Sequence, residues 1–188
     1  MGYQLNSLAN LPIDAEVNFY IFVINGQWKE PVYSILNENF SAIARSIGNN
    51  AVIAMGLNPQ EWYDEVAAGY LSKDHNELFN LLPAVLITNA HPDRITESSL
   101  RLLVPLRDVE ARFGGWPQFF ASLSDFVQLK NDGFLNKFQP KEDFIDVANK
   151  VVNLRPGMFG VSVNINELIT WWKKRRSGPC APDHRVEC

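Results

Sequence analysis

Residues 16–32 read EVNFYIFVINGQWKEPV, and the fold is decided in this stretch. Residues 16–24 are rich in Val, Ile, Phe and Tyr and alternate only weakly, the pattern of a strand buried on both faces. Asn25-Gly26 ends that strand. After the pentapeptide Trp28-Lys29-Glu30-Pro31-Val32, the apolar positions Val32, Ile35, Leu36, Phe40, Ile43, Ala44 and Ile47 keep helical spacing. Pro31 suits the first turn of that helix and Gly48 its C-terminal stop.

The same grammar continues along the chain. Asn49-Asn50 leads into a second buried strand at residues 51–57, and Asn58-Pro59 with Glu61 opens a helix that packs through Trp62, Val66 and Tyr70. Leu81-Leu82-Pro83 precedes a third strand at 84–88, and the turn His91-Pro92-Asp93 separates it from a fourth at 100–106, so these two strands are expected to form a hairpin. Gly114-Gly115 then breaks the chain before an amphipathic helix around Phe119, Phe120, Leu123 and Phe126. Beyond Asn131-Asp132-Gly133, a helix carrying Phe144, Val147, Ala148, Val151 and Val152, a short strand at 158–163 and a helix through Ile165, Leu168, Ile169 and Trp172 are expected.

Over residues 16–130 the resulting βαβαββα order, together with the WKEPV turn and the proline heading the third strand, resembles the thioredoxin-like superfamily. In that family the turn reads WCGPC and the proline is cis beside it. The tryptophan and proline are in place here, but Lys29 and Val32 occupy the cysteine positions. The resemblance implies an α/β domain with Leu82-Pro83 cis and close to Trp28, and it removes the usual thiol chemistry, whose attacking species is a thiolate. A flavodoxin-like or Rossmann-like α/β fold is the structural rival, unsupported by any Gly-rich phosphate loop. The expected domain division is 1–133 for the thioredoxin-like part, 134–176 for a C-terminal α-β-α extension packed on it, and 177–188 for a tail.

Composition narrows the function classes. The 188 residues are 46% hydrophobic and 20% charged with a formal charge of -4, which disfavours nonspecific nucleic-acid binding through neutralised phosphates. No apolar run approaches the roughly 20 residues of a membrane span, so integral membrane association is disfavoured. Residues 1–16 lack a basic n-region and a continuous apolar h-region, and Asn6 stands where a myristoylation signal wants Ser or Thr, so a cytoplasmic protein is expected. The cysteines, Cys180 and Cys188, both lie in the tail, leaving the body without thiol ligands or disulfides.

Candidate sites follow from these features. The resemblance makes Trp28, Lys29, Glu30 and Pro31, with Leu82 and Pro83, a partner-binding area: the backbone before the proline can pair with an extended peptide and needs no cysteine. The alternative for Trp28-Lys29-Glu30 is a core cap and a solvated turn. His91 with Asp93, and Asp74-His75, are histidine and carboxylate pairs that would serve general-base chemistry in a pocket, yet neither accompanies a nucleophile motif. Cys180, His184 and Cys188 are evenly spaced as metal ligands would be, but Pro179, Pro182 and the polar residues around them read as a flexible tail. Lys173-Lys174-Arg175-Arg176 behind Trp171-Trp172 resembles a membrane-surface or acidic-partner patch, but one short cluster on an acidic chain is also how an ordinary C-terminal helix ends, and stable anchoring takes two signals. The expected function is a redox-inactive protein or peptide interaction module without a cofactor or metal, the composition being compatible with a homodimer; the alternative is an enzyme of non-thiol chemistry near His91 and Asp93.

Overall fold

The structure, a computed structural model, describes residues 1–13, 17–25, 31–70, 82–96, 99, 101–106, 109–128 and 133–137. Strands β1 (Gly2–Leu5), β2 (Phe19–Ile24), β3 (Ala51–Gly56), β4 (Ala84–Thr88) and β5 (Arg101–Pro105) form a five-stranded mixed sheet in the order β1-β3-β2-β4-β5. Helix α1 (Pro31–Ile47) connects β2 to β3, and α2 (Pro59–Tyr70) follows β3. Helices α3 (Val109–Phe113), α4 (Trp116–Val127) and α5 (Gly133–Asn136) come after β5. The protein is thus a mixed α/β domain.

β2 lies parallel to β3, and β3 to β1, whereas β2–β4 and β4–β5 are antiparallel. The expected hairpin of the last two strands is present, with Ala84 opposite Pro105 and Thr88 opposite Arg101. Successive side chains of a strand point to opposite faces, and the core divides accordingly. Phe19, Ile21 and Val23 join Ile53, Val85 and Val104 under α1, α3 and α4. Tyr20, Phe22 and Ile24 join Val52, Leu86 and Leu103 under Trp62, Val66 and Tyr70 of α2. All six residues of β2 are buried, as its apolar run predicts.

Local signals explain the element ends. Gly48 adopts φ 73° directly after α1, the left-handed conformation that a helix-terminating glycine takes at little steric cost. Asn58 caps α2, its side-chain oxygen accepting from the Gln60 N–H at 3.2 Å. The carbonyl of Ser46 near the end of α1 accepts from both Ser124 Oγ and Gln128 Nε2, each at 2.5 Å, which fastens α4 beside α1. The Leu82-Pro83 peptide bond is cis, as expected.

Three elements add to the sequence-based expectation. β1 is a four-residue edge strand with exposed and half-buried positions alternating, and so carries no apolar run to announce it. α3 spans five residues, too few for helical periodicity to register. In α5, Phe134 is fully buried and stacks on Phe126 at 5.2 Å, so the expected boundary at 133/134 falls inside a helix whose phenylalanine belongs to the main core. Residues 138–188, with the rest of the expected extension and the tail, lie outside the described residues.

Gly56 ends β3 where Trp62 of α2 crosses it, and a Cβ at that position would lie 2.2 Å from Trp62 Cβ and 2.4 Å from its Cγ. These atoms sit close to the helix backbone and have little freedom to retreat. Gly56→Ala is expected to lower the unfolding free energy by about 1–3 kcal/mol, the usual cost of overpacking. At Gly69 in the same helix, an added Cβ meets only Leu8 Cδ2 at 3.4 Å. Gly69→Ala is therefore expected to raise stability by about 0.5–1 kcal/mol, and urea unfolding of the two variants measures both signs.

Candidate functional site

The sheet has two contrasting ends. At one lie the C-terminal ends of β1, β3 and β2 together with the start of β4. Ile24 pairs with Ala84, so Asn25 and Pro83 are the residues just beyond the last pair on adjacent strands. Pro31 opens α1 after this exit from β2, and Leu57 follows β3. This is the end to which the sequence assigns its binding area. Trp28, Lys29 and Glu30 lie outside the described residues, as does the Pro31 side chain.

Leu82 is buried within the α2-side core. The Pro83 carbonyl accepts from the Leu106 N–H at 2.8 Å. Beside it, Asn25 is 2% exposed and its Oδ1 has no hydrogen-bond partner among the described residues. Each buried polar group left unpaired costs about 1–3 kcal/mol. Leu57, 45% exposed, is one of the large apolar side chains open to water. Sequence reading treated Asn25 as a strand stop and Leu57 as a strand residue. The signal available for Asn25 was a polar side chain directly abutting an uninterrupted buried strand.

At the opposite end, about 13 Å away along β4 at ~3.3 Å per residue, the polar groups are consumed by structure. Tyr20, Thr88 and Arg101 form a row across β2, β4 and β5. The buried Arg101 guanidinium donates to the carbonyls of Tyr70 at 3.3 Å and Thr96 at 2.9 Å. Tyr70 is the last residue of α2, so the cation meets the negative end of that helix. Burial lowers the Arg101 pKa from its ordinary value, while the neighbouring Tyr70 opposes that shift.

His91 is equally committed. Its Nδ1 accepts from the Asp93 N–H at 3.3 Å, capping the short 3-10 turn Pro92–Arg94, and its Nε2 faces the Leu11 carbonyl at 3.3 Å. The Nε2–H tautomer satisfies both contacts and leaves no lone pair free to take a substrate proton. Asp93 Oδ2 lies 3.6 Å from Nδ1 on an exposed side chain. Asp74-His75 lies outside the described residues, as do Cys180, His184, Cys188 and residues 173–176. Among the described residues no group of three or more His, Cys, Asp or Glu is arranged to hold a metal, and no helix is long and apolar enough to cross a membrane.

Tyr70 gives this end a testable alkaline signature. Its hydroxyl donates to the Ala90 carbonyl at 3.1 Å, and burial first, then the neighbouring Tyr20 and Asp93, push its pKa well above the ordinary phenol range against a smaller lowering by Arg101. A phenol raised in the folded state contributes stability that is fully present below its unfolded pKa, about 10, and that is lost as the unfolded chain ionises above it. Tyr70→Phe is expected to cost about 1 kcal/mol at neutral pH. Above pH ~10 it should flatten the fall in stability by up to about 1.4 kcal/mol per pH unit. Urea unfolding from pH 8 to pH 11 measures both effects; the buried shift of Tyr63 leaves a residual slope in the variant.

Comparison of the chain with protein-family models, with curated proteins and with solved structures returned no match in any of the three.

Proposed function

We propose that the protein is a redox-inactive, thioredoxin-like module that binds an extended protein or peptide segment at the sheet end formed by Asn25, Leu57, Leu82 and Pro83. The observation that carries this reading is the position of Pro83 beside the exit of β2, set by the pairing of Ile24 with Ala84, with the exposed side chain of Leu57 at the end of the neighbouring β3. An extended peptide laid along this end offers alternating backbone donors and acceptors, and side chains that cover Leu57. The sheet order β1-β3-β2-β4-β5, the connection of β2 to β3 by α1, and the proline just ahead of β4 support the thioredoxin-like assignment. The polar groups at the opposite end, including His91 and Arg101, already serve the fold. The resemblance adds the turn residues Trp28, Lys29, Glu30 and Pro31 to the proposed surface.

Selection of peptides from a randomised displayed library on the immobilised full chain tests the reading. A selected peptide is expected to shift the amide resonances of Leu82 and Asn25 and to bind Leu57→Asp about tenfold or more weakly. Perturbations confined to other parts of the sheet would overturn the assignment.

Thiol chemistry is excluded by the same reading, since Lys29 and Val32 stand at the positions of a reactive pair. Insulin disulfide reduction with dithiothreitol should proceed no faster with the protein than without it. Turnover that persists in a Cys180→Ser, Cys188→Ser variant would refute the redox-inactive assignment.

A further inference from the structure

The outer side of β1 is open to water. Ile53 N–H donates to the Met1 carbonyl at 2.8 Å and Leu57 N–H to the Leu5 carbonyl at 2.9 Å, which sets the phase of the parallel β1–β3 ladder. Alternate residues of a paired strand turn their peptide groups to opposite sides, so the N–H and C=O of Gly2 and Gln4 face away from β3. Both residues are exposed, and the surface of a glycine is its main chain.

Helix α1 runs above this edge, packed on both β1 and β3. A Cβ built on Gly2 would run into the Ala44 side chain, and Gln4 Nε2 donates to Asn37 Oδ1 at 3.2 Å. Leu36, Phe40 and Ile43 of the helix enter the core. One residue further round stand Asn37, Ser41 and Ala44, small and uncharged, the first two exposed. A further step brings Glu38 and Arg45, both exposed, to the rim of that flank.

We infer that a second copy of the chain covers this surface, joined across a two-fold axis that passes beside Tyr3. Pairing is antiparallel: Gly2 lies opposite Gln4 of the second copy, and each such pair exchanges two main-chain hydrogen bonds. The axis stands half a strand spacing outside β1. With α1 seated over β1 and β3, the two α1 helices then run antiparallel about 10 Å apart, the distance of packed helices. Gly2 lies under Ala44 and Gln4 beside Asn37, so the level of Tyr3 falls near Ser41, which meets its own equivalent. Symmetry about Ser41 brings Glu38, three residues before it, close to Arg45 of the second copy, four residues after it.

These features select the occupant. An unrelated extended peptide would use Gly2 and Gln4 and leave the uncharged flank of α1 facing water, whereas a second copy covers strand and helix together and pairs opposite charges on the rim. β1 alone is too short to hold two chains, so association requires α1 in place and is confined to folded copies. Pairing at this edge is independent of peptide binding beside Pro83.

Sedimentation equilibrium of the full chain carrying Cys180→Ser and Cys188→Ser tests the inference. Twice the mass of one chain is expected, with a dissociation constant on the order of micromolar for so small a contact. Ser41→Glu opposes like charges at the axis, and Gln4→Pro removes an outward N–H without touching the β1–β3 bonds; each is expected to weaken the dimer about tenfold or more. Glu38→Arg alone should weaken it about threefold, and Glu38→Arg with Arg45→Glu should restore the wild-type constant. On oxidation Ser41→Cys should cross-link two copies, whereas Asn39→Cys, on the far flank of α1, should not. A chain that stays monomeric at about 100 μM overturns the inference. So does a dimer indifferent to both Ser41→Glu and Gln4→Pro, since its interface lies elsewhere. If proline prevents folding, Ser41→Glu, at an exposed helical position, decides alone.

Discussion

Strand β2 has no free side, and the rest of the domain is arranged around that constraint. It is paired in parallel with β3 on one edge and antiparallel with β4 on the other, and all six of its residues are buried. A strand so enclosed must place alternate side chains in two separate cores, and both helical layers are needed to cover them. Phe22 shows the consequence on one face, lying 4.9 Å from Tyr70 and 6.0 Å from Trp62 between ring centroids. On the other, Phe19 meets Phe126 at 5.2 Å. The Trp62 indole N–H donates to the Val23 carbonyl at 2.9 Å, so the helix that covers β2 is also hydrogen-bonded to it.

The two ends of the sheet meet the demands of buried polarity in opposite ways. Where β4 and β5 carry Thr88 and Arg101, side chains turn back onto nearby carbonyls and hydroxyls, and the Thr96 N–H closes onto Ser99 Oγ at 2.8 Å. The guanidinium is held by carbonyl dipoles rather than by a carboxylate, among the described residues, which keeps a full charge in place without a second ion to desolvate. At the other end the buried Asn25 Oδ1 has no hydrogen-bond partner among the described residues. Among the described residues, buried charge is therefore gathered at the end that holds the fold, and the proposed recognition lies at the other.

Much of the central architecture was legible because each element had a strong local signal. The apolar runs of β2 and β3, the helical spacing of Ile35, Leu36, Phe40 and Ile47, and the punctuation at Gly48 and Asn58-Pro59 all agree with the fold they produce. β1 was not legible, since its residues gain strand character only from the partner they meet. His91 illustrates the limit for sites. A histidine two residues from an aspartate suggests a proton-transfer pair, but its role was decided by the carbonyl of Leu11, eighty positions away in the chain. The burial of Asn25 was likewise set by neighbours that no local pattern names.

β1 also orders events in the making of the chain. Gly2 pairs with Ile53 and Leu5 with Gly56, so β1 leaves the ribosome before its partner and meets it only after β2, α1 and β3 have been synthesised. Until then β1 has no template, and its short, half-polar composition suits a strand that must wait in water without recruiting a neighbouring nascent chain. The β1 edge of the sheet is in this sense a late addition made from a strand synthesised before its partner.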